Sequence, residues 1–153
     1  MLHLDETDLR ILRALQSDGS LSVTEVAARA GLSQSPCSRR IARLQDAGAI
    51  AGRQVVLNAR ALGFETLVIV RIKLTGHDRE LLDTFKAAVR AIPEIQIALL
   101  VLGDFVFYLR IIVRDISHYQ ALLQNRLVSL PGVREMQSSV ILEVVKDAPT
   151  LPI

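Results

Sequence analysis

Four arginines within residues 33–53 are the side chains whose type and spacing best support a chemical role. They are Arg39, Arg40, Arg43 and Arg53. The single acid of this stretch is Asp46, so the local excess of positive charge is three. A solvated structural surface normally mixes both signs of charge, whereas arginines on an exposed helix bind phosphates or reach guanine edges in the major groove. The pattern therefore predicts contact with double-stranded DNA.

The sequence lacks the residue sets that enzymes and metal sites require. It has no Ser/His/Asp arrangement, metal-ligand spacing or phosphate-binding glycine loop. The histidines His3, His77 and His118 fall near the start of the chain, in a turn and at a helix edge, which predicts solvated side chains. Cys37 falls on an apolar stripe and is predicted to be a core residue. We therefore expect no catalytic residues, no metal and no cofactor.

A short helix after Ser33 is predicted to carry the arginines. Ser33 can cap this helix, and Pro36 then lies in the first turn, where a missing N–H costs no hydrogen bond. Gly48 can end the helix in a left-handed conformation. The spacing predicts a buried stripe of Cys37, Ile41 and Leu44, with Ser35, Arg39 and Arg43 on the opposite face.

Two more helices are predicted before it, over residues 5–17 and Val23–Ala30. Ala27 is small where a second helix would cross, and Gly31 permits the sharp turn, four residues later, of a helix-turn-helix. A three-helix bundle without DNA binding is the alternative. The concentration of positive charge on one helix favours the helix-turn-helix.

The second half of the chain predicts a βαββαβ domain of the ferredoxin-like type. Its strands are predicted over residues 66–74, 95–102, 105–113 and 133–145, and its helices over 79–92 and 115–129. Gly103 and Asp104 would join the two central strands, and the second helix would turn Ile116, Tyr119, Leu123 and Leu127 inward. Residues 51–58 predict a short strand pair or wing, followed by a connector. The fold class is α+β, with domains at 1–60 and 61–153.

The predicted sheet is apolar on both faces, although its two helices can cover only one of them. A second copy of the chain is therefore predicted to pack against the other face, sheet to sheet. A cover by the N-terminal domain is the alternative. The residues assigned to this outer face are Leu67, Ile69, Ala98, Leu100, Leu102, Val106, Ile112, Ile141 and Val145.

The net charge of +2 is small for a DNA-binding protein. Residues 1–60 hold eight arginines and six acids, whereas residues 61–153 hold ten bases and ten acids. Several subunits acting together are therefore expected to bind DNA. No apolar run is long enough to span a membrane and the N-terminus is not a signal peptide, so we expect a cytoplasmic location.

The order of motifs resembles the Lrp/AsnC, or feast/famine, family of transcription regulators. The likeness covers LSVTEVAARAGLSQSPCSRRIARLQDAGAI, then LVLGDFVFYLR in the central hairpin and LPGV before the last strand. It implies an N-terminal winged helix-turn-helix and a ferredoxin-like domain of the RAM/ACT type. It also implies dimers that often join into octamers of four dimers, with small effectors, usually amino acids, at subunit contacts.

The resemblance also implies roles for individual residues, by position. The DNA-reading residues would be Gln34, Ser35, Ser38, Arg39 and Arg43, with Arg53 on backbone phosphate in the wing-like turn. The effector region would be lined by Leu102, Gly103, Asp104, Val106 and Ser138.

The central hairpin departs from the family pattern. That pattern has a small hydroxyl residue, glycine, two variable positions, aspartate and tyrosine, where this chain has Leu102, Gly103, Asp104, Phe105, Val106 and Phe107. An aspartate can pair with the ammonium group of an amino acid, whereas valine cannot. Either Asp104 takes the place of the missing aspartate, or the effector is not a standard zwitterionic amino acid. The alternative for Asp104 is a plain turn residue without a role in binding. We expect a more apolar ligand, or none.

Two other functions remain as alternatives at this point. The first is a metabolite sensor whose helix-turn-helix does not bind DNA. The second, more distant, is an enzyme, because siroheme decarboxylases resemble this fold and use histidine and arginine around a tetrapyrrole. A DNA-binding assay separates both from the regulator.

Overall fold

The computed structural model describes residues 2–103, 105–148 and 150–153. By their internal contacts these form two compact units, one of Met1–Val56 with Lys146–Ile153, the other of Leu57–Val145. The predicted limits of the two functional domains, 1–60 and 61–153, stay predictions. None of the helices in the described part is long and apolar enough to cross a membrane.

The first unit contains the predicted helices α1 (Glu6–Ser17), α2 (Val23–Ala30) and α3 (Gln34–Asp46). Gly31 is left-handed (φ 71°) and makes the turn between α2 and α3, as predicted. Pro36 lies in the first turn of α3, although the Ser33 side chain makes no capping hydrogen bond. The core of this unit is apolar. It includes Ile11 of α1, Val26, Ala27 and Ala30 of α2, and the whole predicted stripe of α3, which is Cys37, Ile41 and Leu44.

The last residues of the chain lie against α1 within this unit. The Gln16 side-chain amide donates to the Leu151 carbonyl and accepts from the Leu151 N–H, both at 2.8 Å. The Arg13 Nε atom donates to the Ile153 carbonyl at 3.0 Å. The side chains of α1 thus pair with this segment much as a neighbouring strand would.

The second unit has the predicted βαββαβ order. Its elements are β1 (Thr66–Leu74), α4 (Arg79–Arg90), β2 (Ile95–Leu100), β3 (Phe107–Val113), α5 (Ile116–Leu122) and β4 (Val133–Val140). The sheet order is β2-β3-β1-β4, and all neighbouring strands are antiparallel. One face of β1 and β3 is buried, including Val68, Val70 and Ile72, because α4 and α5 cover it.

The predicted strand pair over residues 51–58 is wrong, because this segment contains no strand. Its apolar side chains point into solvent, with Val55, Val56 and Leu57 exposed by 86%, 90% and 68%. The sequence has a high β propensity here, but a strand forms only where another strand supplies hydrogen-bond partners. No wing is therefore formed within the described chain.

The outer face of β2 also differs from the prediction. Ala98 and Leu100 lie opposite Leu109 and Phe107 of the covered face, so Ile97 and Leu99 take the outer positions. A register shift between Ile95 and Ile97 causes the exchange. Val106 is buried (6% exposed) rather than on the outer face, and Leu102 is fully exposed in the loop.

The second predicted helix, over 115–129, changes its winding part of the way along. α5 ends at Leu122 and a single π-helical turn follows at Leu123–Leu127. Tyr119 and Leu127 are buried as predicted, and Leu123 is half-buried against the core. Ile116 is 46% exposed, and Leu122, which was not predicted to face inward, is buried. Ile116 is exposed because it is the first residue of the helix, and the wider turn changes the periodicity of the buried face.

Candidate functional site

The N-terminal half of α3 presents a polar surface to solvent. Gln34, Ser35, Ser38 and Arg39 are all exposed there, at four of the positions predicted to read DNA. Arg39 makes no ion pair with any described residue, so its guanidinium group has free donors for bidentate contact with a guanine or a phosphate. The exposed start of this helix is thus equipped to contact base edges.

Arg53, predicted to touch backbone phosphate, lies in the strand-free segment after α3. It is exposed, and its Nη1 atom donates to the Leu21 carbonyl at 3.4 Å. This contact ties the segment to the loop before α2. The bond is long and uses one of five guanidinium hydrogens, so the side chain keeps donors for a phosphate.

Arg43, also predicted to read DNA, is held by a buried acid on another helix. Its Nη2 atom donates to Oδ2 of Asp8 at 2.5 Å, while Arg40 donates from Nη1 to Oδ1 of the same carboxylate at 2.8 Å. Asp8 is only 1% exposed, whereas the side chains of Arg40 and Arg43 are 32% and 51% exposed. One carboxylate of α1 therefore anchors two arginines of α3.

The pKa of Asp8 reports how strongly this carboxylate is held. Burial alone would raise it, but the hydrogen bonds from Arg40 and Arg43, with one from the Asp5 N–H, together lower it to about 2. Asp8 is therefore ionised throughout the physiological pH range. Protonation of Asp8 therefore does not break the ion pairs with α3 at physiological pH.

The predicted effector region is the loop between β2 and β3. A half-open cavity of about 340 Å³ is lined there by Leu102, Gly103 and Val106, which were predicted to line an effector site. Its other lining residues are His77, Leu82, Leu100 and Val101. The walls are mostly apolar, and His77 supplies the one ionisable side chain among the described lining residues.

Two other predicted effector residues do not join this cavity. Asp104 lies outside the described residues. Ser138 is on β4, where its hydroxyl lies 2.5 Å from that of Tyr119, and it does not line the cavity. Burial raises the pKa of Tyr119, and the hydrogen bond to Ser138 offsets part of that rise.

Phe105 connects the same loop to the outer face of the sheet. Its ring lies 4.5 Å from Lys73 Nζ and 5.2 Å from the Arg71 guanidinium carbon. Arg71 also donates to Gln137 at 2.8 Å, and Lys73 pairs with Glu135 at 3.3 Å. The loop is therefore attached by cation–π contacts to basic residues of β1.

Sequence reasoning missed the acids that hold α3 and four of the residues that line the cavity. Asp5 and Asp8 were not singled out, although their three-residue spacing fits a capping box, which the structure shows. Nothing local indicated that Arg40 and Arg43, more than thirty residues later, would reach Asp8. Of the four cavity residues, His77 was interpreted as a solvated turn residue and Leu100 was assigned to the outer face of the sheet, whereas Leu82 and Val101 were not singled out.

No group of three or more His, Cys, Asp or Glu side chains in the described part of the chain could hold a metal ion. Cys37 is buried, and burial raises the pKa of its thiol. A raised pKa keeps sulfur protonated and unreactive, consistent with a core residue.

Two family models match the chain. Residues 4–45 match the AsnC-type helix-turn-helix domain, and residues 67–151 match the Lrp/AsnC ligand binding domain. The first match covers α1, α2 and most of α3. The second covers the sheet, the loop with the cavity and both of its helices.

Curated relatives match over almost the whole chain. The leucine-responsive regulatory protein of Salmonella typhimurium is 41% identical over 150 residues, which are 98% of this chain and 92% of that protein. The proline dehydrogenase transcriptional activator of Rhizobium radiobacter is 37% identical over 144 residues, 94% of this chain and 92% of that one.

Solved structures also match over almost the whole chain. A transcriptional regulator of Neisseria meningitidis, crystallised as a complex with L-methionine, superposes with a TM-score of 0.93 at 30% identity and covers 98% of this chain and 97% of that one. A feast or famine regulatory protein of M. tuberculosis, also complexed with L-methionine, gives a TM-score of 0.86 at 29% identity, covering 97% and 99%.

Proposed function

The chain belongs to the Lrp/AsnC family of transcription regulators, and on that premise we propose that it regulates transcription by binding DNA through the start of α3. The observation that carries this proposal is the exposed row of Gln34, Ser35, Ser38 and Arg39 on the second helix of an AsnC-type helix-turn-helix. Arg43 and Arg53 flank this row. The first group would read base edges, and Arg53 would contact a phosphate.

The active form is a dimer or a larger assembly of this chain. Leu67, Ile69, Ile97, Leu99 and Ile112 give the outer face of the sheet an apolar surface that α4 and α5 do not cover. Burying such an apolar surface against the same surface of a second copy stabilises a dimer. Paired recognition helices would then enter two major-groove segments, and an octamer of four dimers is the larger assembly that the family implies.

The effector is a small molecule with an apolar side chain, bound at the loop between β2 and β3. The cavity formed by Leu82, Leu100, Val106 and their neighbours is mainly apolar, which suits such a group. Both methionine complexes among the similar structures carry an amino acid of that character. The ligand would act by changing the assembly or the spacing of the recognition helices.

Isothermal titration calorimetry tests the effector proposal. We expect L-methionine or L-leucine to bind and L-serine to bind at least ~10-fold more weakly, because the cavity offers serine little to hydrogen-bond. The Leu100→Ser variant, in which one exposed wall of the cavity becomes polar, is titrated with the same amino acids and compared with the unchanged chain. Tight serine binding that Asp104→Ala leaves unchanged would contradict the proposal.

Fluorescence anisotropy tests the DNA-binding proposal, with duplex DNA from upstream of the chain's own gene and a shuffled duplex of equal composition. A preference for the upstream duplex is expected. If neither duplex bound at moderate salt, the metabolite sensor without DNA binding would replace the regulator. The relatives with stated roles are regulators, so we propose a non-enzymatic, cytoplasmic protein without a cofactor.

A further inference from the structure

The N-cap and the first turn of α1 carry two carboxylates that contact α3. Asp8 accepts from Arg40 and Arg43, and Asp5 accepts from the same Arg40 Nη1 atom through Oδ2 at 2.7 Å. Asp5 and Asp8 also cap one another, because each side chain accepts the other's backbone N–H. This arrangement, which we call the acid clamp, consists of Asp5 and Asp8 with Arg40 and Arg43.

The acid clamp divides the basic residues of α3 into two kinds. Arg40 and Arg43 are bound to carboxylates, whereas Arg39 forms no ion pair with a described residue. Two acids thus compensate the charge of two arginines at close range. The net positive charge of α3 is concentrated at Arg39, near the end of the helix that enters the groove.

The clamp also fixes where the bound guanidinium groups point. Arg40 donates to the clamp from Nη1 and Arg43 from Nη2, so the remaining donors of each group are left with defined orientations. The Arg43 side chain is still half exposed, so these donors can reach a ligand outside. A buried, fully occupied carboxylate is a rigid support for such a group, because rotating it would break several charge-assisted bonds.

We propose that Asp5 and Asp8 are positioning residues for DNA recognition. They fix the direction in which the free donors of Arg43 point, and they keep the guanidinium groups of Arg40 and Arg43 from turning to sequence-independent phosphate contacts. The proposal rests on DNA binding through α3. Its consequence is that two acids on α1, which need touch no DNA, raise the ratio of specific to non-specific affinity. Sequence-independent binding comes mainly from phosphate contacts, so withholding two arginines lowers it selectively.

The test compares Asp8→Asn and Asp5→Asn with a matched control, Glu6→Gln. Each replacement removes one negative charge from the start of α1, at the N-cap or in the first turn, with little change in shape. Glu6 pairs with Arg13 of its own helix at 2.8 Å and lies outside the clamp. Affinities for the upstream and shuffled duplexes are measured by anisotropy at several salt concentrations.

We expect Asp8→Asn to reduce the ratio of upstream to shuffled affinity by at least ~10-fold, chiefly by strengthening binding to the shuffled duplex. The released arginines should steepen the slope of log affinity against log salt on that duplex by about one per new phosphate contact. Asp5→Asn should give a smaller change in the same direction. Glu6→Gln should alter neither the ratio nor the slope.

If Asp8→Asn and Asp5→Asn both match Glu6→Gln in ratio and slope, the clamp serves folding alone and the proposal is overturned. Thermal unfolding verifies that each variant is folded. Should Asp8→Asn fail to fold, Asp5→Asn decides, because asparagine is an equally good N-cap and Asp5 is exposed. A wild-type protein with no preference between duplexes would overturn DNA recognition itself, a separate outcome.

Discussion

Replacing Arg39 with alanine is expected to weaken binding to the upstream duplex by about 1–3 kcal/mol, or about 5- to 150-fold. Arg39 is exposed on the recognition helix and pairs with no described acid, so it has no internal bond to give up on contacting DNA. Binding to a shuffled duplex should fall much less, because the lost contact is to a base edge. Anisotropy titrations of both duplexes measure the two changes.

The control for Arg39→Ala is Arg79→Ala, which removes the same charge from the second unit. Arg79 is 96% exposed and pairs only loosely with Asp83, at 3.7 Å. We expect it to leave both affinities unchanged. Equal losses on upstream and shuffled duplexes after Arg39→Ala would show that Arg39 contacts phosphate, which would refute base reading by this residue.

Replacing Phe85 with alanine is expected to lower the free energy of unfolding of the second unit by about 3–5 kcal/mol. Phe85 of α4 is fully buried, and the centroid of its ring lies 4.4 Å from the ring centroid of Phe107 on β3. The substitution leaves a cavity between helix and sheet and removes an aromatic pair. Because this sheet is proposed to form the dimer contact, tight DNA binding should fall as well. Urea unfolding gives the stability change.

Thr84→Ala is the matched control on the same helix. Thr84 is exposed, and its hydroxyl bonds only to the Glu80 carbonyl one turn earlier. A surface change of this kind usually alters stability by no more than about 0.5 kcal/mol. A cost for Phe85→Ala below about 1 kcal/mol would mean that α4 does not support the sheet as described.

The strongly periodic elements could be predicted from the sequence to the residue. β1 and α2 have the predicted bounds, because Val68, Val70 and Ile72 alternate cleanly and Gly31 ends α2 without ambiguity. In such segments the local pattern and the tertiary burial impose the same periodicity. The topology followed from the order of these elements.

The errors fall where a second strand or a change of helical winding decides the structure. Val55, Val56 and Leu57 have strand-forming side chains, yet pairing depends on a partner that their own sequence does not specify. Leu122 at the end of α5 and Leu127 are both buried five residues apart because the turn at Leu123–Leu127 is π-helical, and no residue type signals such a turn. The register shift in β2 exchanges the residues on its two faces, and it too depends on pairing with a neighbouring strand.

The candidate site shows the same division. The exposure of Gln34, Ser35 and Arg39 follows from the position of the buried stripe of α3, so helical periodicity predicts it. The clamp on Arg40 and Arg43 does not follow, because it depends on how α1 crosses α3 in three dimensions. Composition therefore overstated the free positive charge of this helix.

The central claim is that this chain reads DNA sequence through α3, and a salt series of the anisotropy titration tests it most directly. The upstream duplex should bind at least ~10³-fold more tightly than the shuffled one at physiological salt, the lower end of the range for specific regulators. Both affinities should fall steeply as salt rises, because phosphate contacts release counterions. Equal affinities for the two duplexes at every salt concentration would contradict the claim.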